Sequence, residues 1–318
     1  MLNATQSAEP ALATLVNPWQ RYFLATRPAF LTVTLFACLI GLASAFAGRV
    51  PIAPLPALAT IVFALIAHAG INVFNDYYDA LNGADAANAG RIYPYTGGSR
   101  FIQNGVLSER QTLTFAMALF AVVIAAGMWL TMVAGPDLFW IGLAGLGIGW
   151  AYSAPPLKLN SRGVGELCVA AGWMIVVIGA DYVQRHAFSW LPAIASFSYA
   201  LHVTNILYIN QFPDREADAH AGKRHWVVRL GPGRARFGYV VIAIIAYVWL
   251  IAAVIVGALP WVTLLALFSA APVIQAAGDV LRFAAQPKKL APAIRATIAA
   301  TALHGCLLSA ALVVSRWM

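Results

Sequence analysis

The sequence has few charged residues, and this scarcity excludes an ordinary soluble protein. Asp, Glu, Lys and Arg make up 10% of the 318 residues, against about 25% in soluble globular domains. Apolar residues make up 61%, and the mean hydropathy is +0.75. The same composition excludes disorder, collagen and coiled coil, and the continuous apolar runs argue against a membrane β-barrel. A polytopic helical membrane protein remains.

Cysteine motifs and nucleotide-binding motifs are also missing. The three cysteines, Cys38, Cys168 and Cys306, lie far apart inside apolar runs. No CxxC pair, HExxH sequence or GxxxxGK[ST] loop is present. The sequence therefore gives no indication of a zinc ribbon, a redox pair or a Walker A loop.

Long apolar stretches define the predicted architecture. A span needs roughly 20 apolar residues, and we find about nine such stretches. They lie near 28–48, 54–75, 112–134, 137–153, 164–184, 188–210, 237–258, 260–281 and 292–314. We predict an all-α bundle of about nine transmembrane helices. Residues 1–27 would form an amphipathic or polar cytoplasmic tail, and residues 28–318 a single transmembrane domain.

Basic residues are distributed unequally between the two predicted sides of the membrane. Seventeen of the 20 Lys and Arg fall on the side of the N-terminus, whereas Arg49, Arg185 and Arg316 fall on the other. Cytoplasmic connections carry such an excess. We predict a cytoplasmic N-terminus and an external C-terminus in a bacterial inner membrane. The net charge of +8 then suits the anionic inner leaflet and requires no nucleic-acid partner.

Half of the twelve acids fall in two short stretches that directly follow predicted spans on the cytoplasmic side. The stretches contain Asp76, Asp79 and Asp85, then Asp214, Glu216 and Asp218. Helical spacing puts His68, Asn72, Asp76 and Asp79 on one face, and Asn210, Asp214 and Asp218 on another. Such clusters would repel without a cation, and Mg²⁺ binds carboxylate and diphosphate oxygens. We expect the chemistry in two long cytoplasmic connections, near 76–111 and 211–236.

Cations near these acids could hold a diphosphate. The candidates are Arg91, Arg100, Lys158, Arg162, Lys223 and Arg224. Simple anchoring at the cytoplasmic face is the alternative for each of them. The small-residue loop Thr96–Arg100 could present backbone N–H groups to phosphate.

The two acidic motifs resemble those of the UbiA superfamily of intramembrane prenyltransferases. The motifs are Asn72-x-x-Asn75-Asp76-x-x-Asp79 and Asp214-x-x-x-Asp218. The segments YSAPPLKL (152–159), RGVGE (162–166), Gly83-x-Asp85 and Gly222-Lys223 resemble the branch that prenylates 1,4-dihydroxy-2-naphthoate in menaquinone synthesis. YSAPPLKL also resembles the tetrapyrrole and tocopherol branches. Gly83 departs from the family pattern, in which many members have a third Asp at that position.

The resemblance implies a fold and a mechanism. The bundle would enclose a central cavity open to the cytoplasmic side, and an isoprenyl diphosphate would lie in it and meet an aromatic acceptor beside membrane lipid. Two Mg²⁺ would bind between the motifs, one at Asn72, Asp76 and Asp79, the other at Asp214 and Asp218. Asp85 would act through water, Lys158 and Arg162 would neutralise the leaving diphosphate, and Tyr152 would stabilise a carbocation. Diphosphate or headgroup ligands would be Arg91, Arg100, Lys223 and Asn210.

Three alternatives stay open. The acceptor could instead be a hydroxybenzoate, homogentisate, a tetrapyrrole or a lipid alcohol. CDP-alcohol phosphotransferases also use intramembrane Asp clusters, but their DGxxAR sequence is absent here. A cation-coupled transporter could use Asp76 and Asp214 as ion sites, although both lie at the same membrane edge rather than at mid-membrane.

Overall fold

A computed structural model describes residues 9–318, and this part of the chain contains helices and turns but no strands. The α-helices are α1 (Pro18–Ala25), α2 (Pro28–Ala47), α3 (Pro54–Leu81), α4 (Ala84–Ala87), α5 (Glu109–Ala134), α6 (Asp137–Ser153), α7 (Gly165–Arg185), α8 (Trp190–His220), α9 (Trp226–Ile255), α10 (Ala270–Phe283) and α11 (Ala291–Ser315). Short 3₁₀ helices cover Leu159–Arg162, Trp261–Ser269 and Pro287–Leu290. The all-α prediction is confirmed.

The helix ends follow from local sequence. Proline opens α1, α2 and α3, where its missing N–H has no helical partner to lose. Ser108 caps α5: its side chain accepts from the N–H of Gln111, whose side chain accepts from the N–H of Ser108. This reciprocal pair satisfies two donors that the first helical turn leaves free.

Within residues 9–318, seven helices are long and apolar enough to cross a membrane. They are Pro28–Ala47, Pro54–Leu81, Glu109–Ala134, Gly165–Arg185, Trp226–Ile255, Trp261–Phe283 and Pro287–Ser315. The protein is therefore an integral membrane protein. Helix α6 has 17 residues, and α8 carries the second acidic motif; neither is among the seven. The count of nine spans and the orientation of the termini stay predictions.

The predicted loop at 211–236 is wrong, because this segment is largely helical. Helix α8 continues to His220, and α9 begins at Trp226, although it is kinked at Gly231–Pro232. Only residues 221–225 separate the two helices. The helical spacing of Asn210, Asp214 and Asp218 already favoured this continuation. The first connection is shorter than predicted: α3 extends to Leu81, and residues 82–108 contain α4 as their single helix.

The main core lies where α2, α7, α8, α9 and α11 meet. It contains the buried side chains of Ile40, Val177, Tyr199, Leu250 and Leu308. The hydroxyl of Tyr199 donates to the carbonyl of Val33 at 2.6 Å and links α8 to α2. Outside this core α3 packs against α5, and α8 also packs along α9.

The described part of the N-terminal tail packs against the connection between α4 and α5. Leu15 and Ala25 form a buried cluster with Phe101, Val106 and Leu107. Glu9 forms an ion pair with Arg91 at 2.7 Å. Residues 1–8 of the predicted 1–27 tail lie outside the described residues.

Candidate active site

A cavity of about 650 Å³ runs along the inside of the bundle. Along α3 its wall extends from Thr60 to Asp79, a rise of about 28 Å at 1.5 Å per residue. The far part is apolar and is lined by side chains such as Phe63, Leu130 and Val183. The other end carries the polar residues Asn72, Asp79, Asp85, Asn210, Asp214, Asp218 and Lys223. The cavity therefore suits an amphiphile with a long apolar chain and a charged head.

Lys223 joins the two acidic motifs. Its Nζ lies 2.7 Å from Oδ1 of Asp79 on α3 and 3.1 Å from Oδ1 of Asp218 on α8. Burial disfavours the charged amine, but the carboxylates outweigh it and raise the pKa of Lys223 well above its usual value. His225 contacts the second oxygen of Asp218 at 3.1 Å. The motifs thus converge within the reach of one ammonium group.

Helix α4 brings Asp85 and Asn88 to the same end of the cavity. The amide of Asn88 donates to Oδ1 of Asp214 at 2.5 Å, and the guanidinium of Arg100 donates to the backbone oxygen of Asp85. Oδ2 of Asp85 is buried without a hydrogen-bond partner among residues 9–318. Burial and then the carboxylates of Asp79 and Asp76 raise the pKa of Asp85 well above its usual value. Asp85 is therefore an acceptor with unused capacity for a cation.

Asp76 is oriented differently from the other acids. It is buried and accepts hydrogen bonds from the backbone N–H of Ser99 at 3.2 and 3.3 Å, and it does not line the cavity. Asn72 does line it, and its amide donates to the carbonyl of Thr26 at 3.0 Å. Asn210 lines it from α8, and its buried Oδ1 has no hydrogen-bond partner in the described part of the chain. A direct metal role for Asp76 stays a prediction.

Most of the predicted cations lie away from the cavity. Lys158 and Arg162 are exposed, and Arg162 donates to the carbonyl of Pro156 at 2.8 Å. Arg91 and Arg100 are engaged by Glu9, at 2.7 and 3.7 Å. Of the predicted set, only Lys223 lines the cavity. Arg224 is exposed as well, whereas Arg100 also donates to the backbone oxygen of Asp85. The diphosphate roles of these five cations stay predictions.

Aromatic side chains line the cavity next to its polar end. Tyr152, one of the predicted site residues, is among them. His68 meets the indole of Trp173 edge-on, with ring centroids 5.1 Å apart, and its Nδ1 lies 2.8 Å from Oγ1 of Thr34. These rings could stabilise a nearby cation through their π faces.

The donor set fits Mg²⁺ by its chemistry. Within residues 9–318 no three His, Cys, Asp or Glu side chains are grouped closely enough to hold a metal by themselves. The polar end instead offers carboxylate oxygens from three helices, with unpartnered buried oxygens on Asp85 and Asn210. Hard oxygen ligands of this kind, completed by substrate phosphate and water, are typical of Mg²⁺ sites.

Sequence reasoning missed three residues of this site. Arg27 lines the cavity, yet in the sequence it is one of several cytoplasmic arginines. His225 and Asn88 contact the acids of the second motif. His225 lies two residues after Lys223 and seven after Asp218. This closeness in sequence to Asp218 was the available signal for His225. Asn88 had no signal besides its spacing of three from Asp85.

Comparison with known proteins supports one family. Residues 34–300 match the UbiA prenyltransferase family. A 1,4-dihydroxy-2-naphthoate octaprenyltransferase of Bacillus subtilis is 28% identical over 293 residues, 91% of each chain. A 2-carboxy-1,4-naphthoquinone phytyltransferase of Synechocystis is 28% identical over 297 residues, 90% of this chain and 91% of the relative. A UbiA homolog from Archaeoglobus fulgidus, solved with DMAPP and Mg²⁺, has a TM-score of 0.61 at 17% identity, covering 91% of this chain and 99% of that one.

Proposed function

The chain belongs to the UbiA prenyltransferase family and is a membrane prenyltransferase, and we propose that it transfers a polyprenyl group from an isoprenyl diphosphate to 1,4-dihydroxy-2-naphthoate with the aid of Mg²⁺. The observation that carries this proposal is the convergence of Asp79, Asp85, Asp214 and Asp218 at one end of a long apolar cavity. The naphthoate-prenylating relatives support this acceptor over hydroxybenzoate, homogentisate, a tetrapyrrole or a lipid alcohol.

The apolar part of the cavity would bind the prenyl chain. Burial of that chain stabilises the complex by about 25 cal/mol per Å² of apolar surface removed from water. The diphosphate would then lie at the acidic end beside Lys223. The ammonium group of Lys223 lies between Asp79 and Asp218. From this position, Lys223 would turn its ammonium group to the diphosphate without leaving the cavity.

Two Mg²⁺ would occupy this end, held by the oxygens of Asn72, Asp79 and Asp85 on one side and of Asn210, Asp214 and Asp218 on the other. Bound there, Mg²⁺ supplies positive charge that lowers the barrier to loss of diphosphate. Lys223 adds a further positive charge at the leaving group.

The transfer breaks the allylic C–O bond and forms a bond from the allylic carbon to a ring carbon of the acceptor. The C–O electron pair leaves with the diphosphate. The acceptor ring supplies the electron pair for the new bond, and loss of its carboxylate as CO₂ restores aromaticity. Tyr152 and Trp173 line the cavity, and in this proposal their π faces stabilise the positive charge that develops on the allylic carbon. The apolar lining excludes water, which would otherwise capture the cation.

The membrane arrangement is proposed from charge alone. The excess of basic residues on one side supports a cytoplasmic N-terminus, an external C-terminus and a bacterial inner membrane. In this orientation the acidic end of the cavity would face the cytoplasm.

A prenyl-transfer assay with the purified protein tests the proposal. Labelled isoprenyl diphosphate is supplied with Mg²⁺ or EDTA and a panel of acceptors that includes 1,4-dihydroxy-2-naphthoate. We expect labelling of the naphthoate that EDTA abolishes. Labelling of another acceptor alone would overturn the acceptor assignment, and labelling that persists in EDTA would overturn the metal dependence.

A further inference from the structure

Glu9 of the N-terminal tail contacts three side chains of the connection between α4 and α5. Its Oε1 lies 2.7 Å from both Nε and Nη2 of Arg91. Its Oε2 lies 3.7 Å from Nε of Arg100 and accepts from the amide of Asn104 at 3.2 Å. The same amide donates to the carbonyl of Pro10 at 2.9 Å. One tail carboxylate thus joins three points of this connection.

The two arginines extend these contacts to the acidic end of the cavity. Nη1 of Arg91 donates to the backbone oxygen of Asn88 at 2.7 Å, and the amide of Asn88 donates to Oδ1 of Asp214. Arg100 donates to the backbone oxygen of Asp85. Two chains of hydrogen bonds therefore connect the tail carboxylate with both acidic stretches.

Glu9 is also the counterion of both arginines. Among residues 9–318 no other acid forms an ion pair with Arg91 or Arg100. The hydrogen bond from Arg91 lowers the pKa of Glu9 below its usual value, so its carboxylate is charged at neutral pH. Arg100 is buried and has φ +69, a backbone conformation that persists only where surrounding contacts fix it. Without Glu9, two neighbouring cations would face each other unopposed.

Apolar contacts hold the tail on the connection independently of Glu9. Leu15 is buried in a cluster with Phe101 and Leu107. Arg21 of α1 donates to the carbonyls of Leu15 and Val16. Removal of the Glu9 carboxylate should therefore release the two arginines while the tail stays in place.

We propose that Glu9 is a positioning residue for prenyl transfer, which acts through Arg91 and Arg100 on the acidic end of the cavity. The inference depends on the proposed function, in which this end binds metal and diphosphate. None of these three side chains lines the cavity. Loss of Glu9 should therefore weaken the binding of Mg²⁺ and diphosphate and leave the chemical step itself nearly unchanged.

The test measures binding parameters and turnover separately. Full-length wild type, Glu9→Gln, Arg91→Gln, the double variant and the control Glu109→Gln are assayed for prenyl transfer over a range of Mg²⁺ and isoprenyl diphosphate concentrations. Glu109 is an exposed acid in the first turn of α5. The rate of trypsin cleavage after Arg100, followed by mass spectrometry of the fragments, reports the opening of the connection without turnover.

We expect Glu9→Gln to raise the half-saturating Mg²⁺ concentration and the KM for the diphosphate by about 3- to 10-fold, as partly exposed charged contacts contribute modestly. Its kcat should change less than about twofold, and cleavage after Arg100 should become about 3- to 10-fold faster. The double variant should lose less than the product of the two single losses, because both changes break one contact. Glu109→Gln should match wild type. Arg91→Gln also serves if Glu9→Gln fails to fold.

Three results would overturn the inference. A lowered KM for the diphosphate in Glu9→Gln would show that Glu9 withholds the arginines from the substrate. Unchanged Mg²⁺ dependence and KM would show that the contact does not support the site. Losses that multiply in the double variant would show that Arg91 acts independently of Glu9. Failure of the proposed function looks different, since the wild type would then transfer no prenyl group while cleavage after Arg100 would still depend on Glu9.

Discussion

Replacing Gly98 with alanine is expected to disturb the Asp85 carboxylate and so to lower prenyl transfer. Gly98 has φ +71, and a Cβ placed there would collide with Oδ2 of Asp85. The backbone of Asp85 is held by Arg100, so the carboxylate itself must leave its present position. Gly105 is the matched control: its φ is +68, and a Cβ there meets nothing within 4 Å.

The two variants separate backbone strain from collision. A left-handed backbone costs an alanine about 1–2 kcal/mol, so both variants should lose similar stability to heat. Displacement of Asp85 should add a loss in kcat/KM of about 10- to 100-fold in Gly98→Ala, the range found when groups that support metal ligands are removed. Gly105→Ala should stay within about threefold of wild type. Both are measured by Mg²⁺-dependent prenyl transfer in detergent. Equal kcat/KM in the two variants would refute the assignment of Asp85 to the site.

Two further changes test the placement of charge and the packing of the core. Lys223→Gln should lower kcat/KM by about 100-fold because it removes the cation at the acidic end. Lys158→Gln should lower kcat/KM less than about threefold. A larger loss in Lys158→Gln than in Lys223→Gln, measured in the transfer assay, would restore the role predicted for Lys158. Tyr199→Phe should cost about 1–2 kcal/mol by removing a buried hydrogen bond between α8 and α2. Thermal unfolding would show this as a lowered Tm, and a Tm equal to that of wild type would contradict it.

The acidic site was predictable because its spacing is helical. Asn72, Asp76 and Asp79 are three or four residues apart, as are Asn210, Asp214 and Asp218, and such residues share a helix face. Helices α3 and α8 do bring Asp79 and Asp218 within reach of Lys223. The same helical spacing already indicated that the helix predicted near 188–210 continues beyond residue 210, as α8 does. The polar composition there favoured a loop instead.

The cations were harder to predict, because proximity in sequence does not determine where a long side chain points. Lys158 and Arg162 lie in a segment that resembles the family, yet both are exposed. Arg27 resembled an ordinary cytoplasmic anchor, and its place on the cavity depends on Tyr95, which is distant in sequence. Asp76 shares a helix face with Asp79, but the loop residue Ser99 covers its carboxylate. Such tertiary contacts have no local signal.

The central claim is that the acids gathered at the cavity end hold the metal and diphosphate during prenyl transfer. The most direct test is a Mg²⁺ titration of transfer by wild type, Asp79→Asn, Asp218→Asn and Glu216→Gln. Glu216 is the matched control, since it lies on α8 two residues from Asp218 but has an 81% exposed side chain. We predict that both Asn variants lose at least about 100-fold in activity at any Mg²⁺ concentration and that Glu216→Gln keeps wild-type activity. Wild-type activity and Mg²⁺ dependence in folded Asp79→Asn and Asp218→Asn would contradict the account.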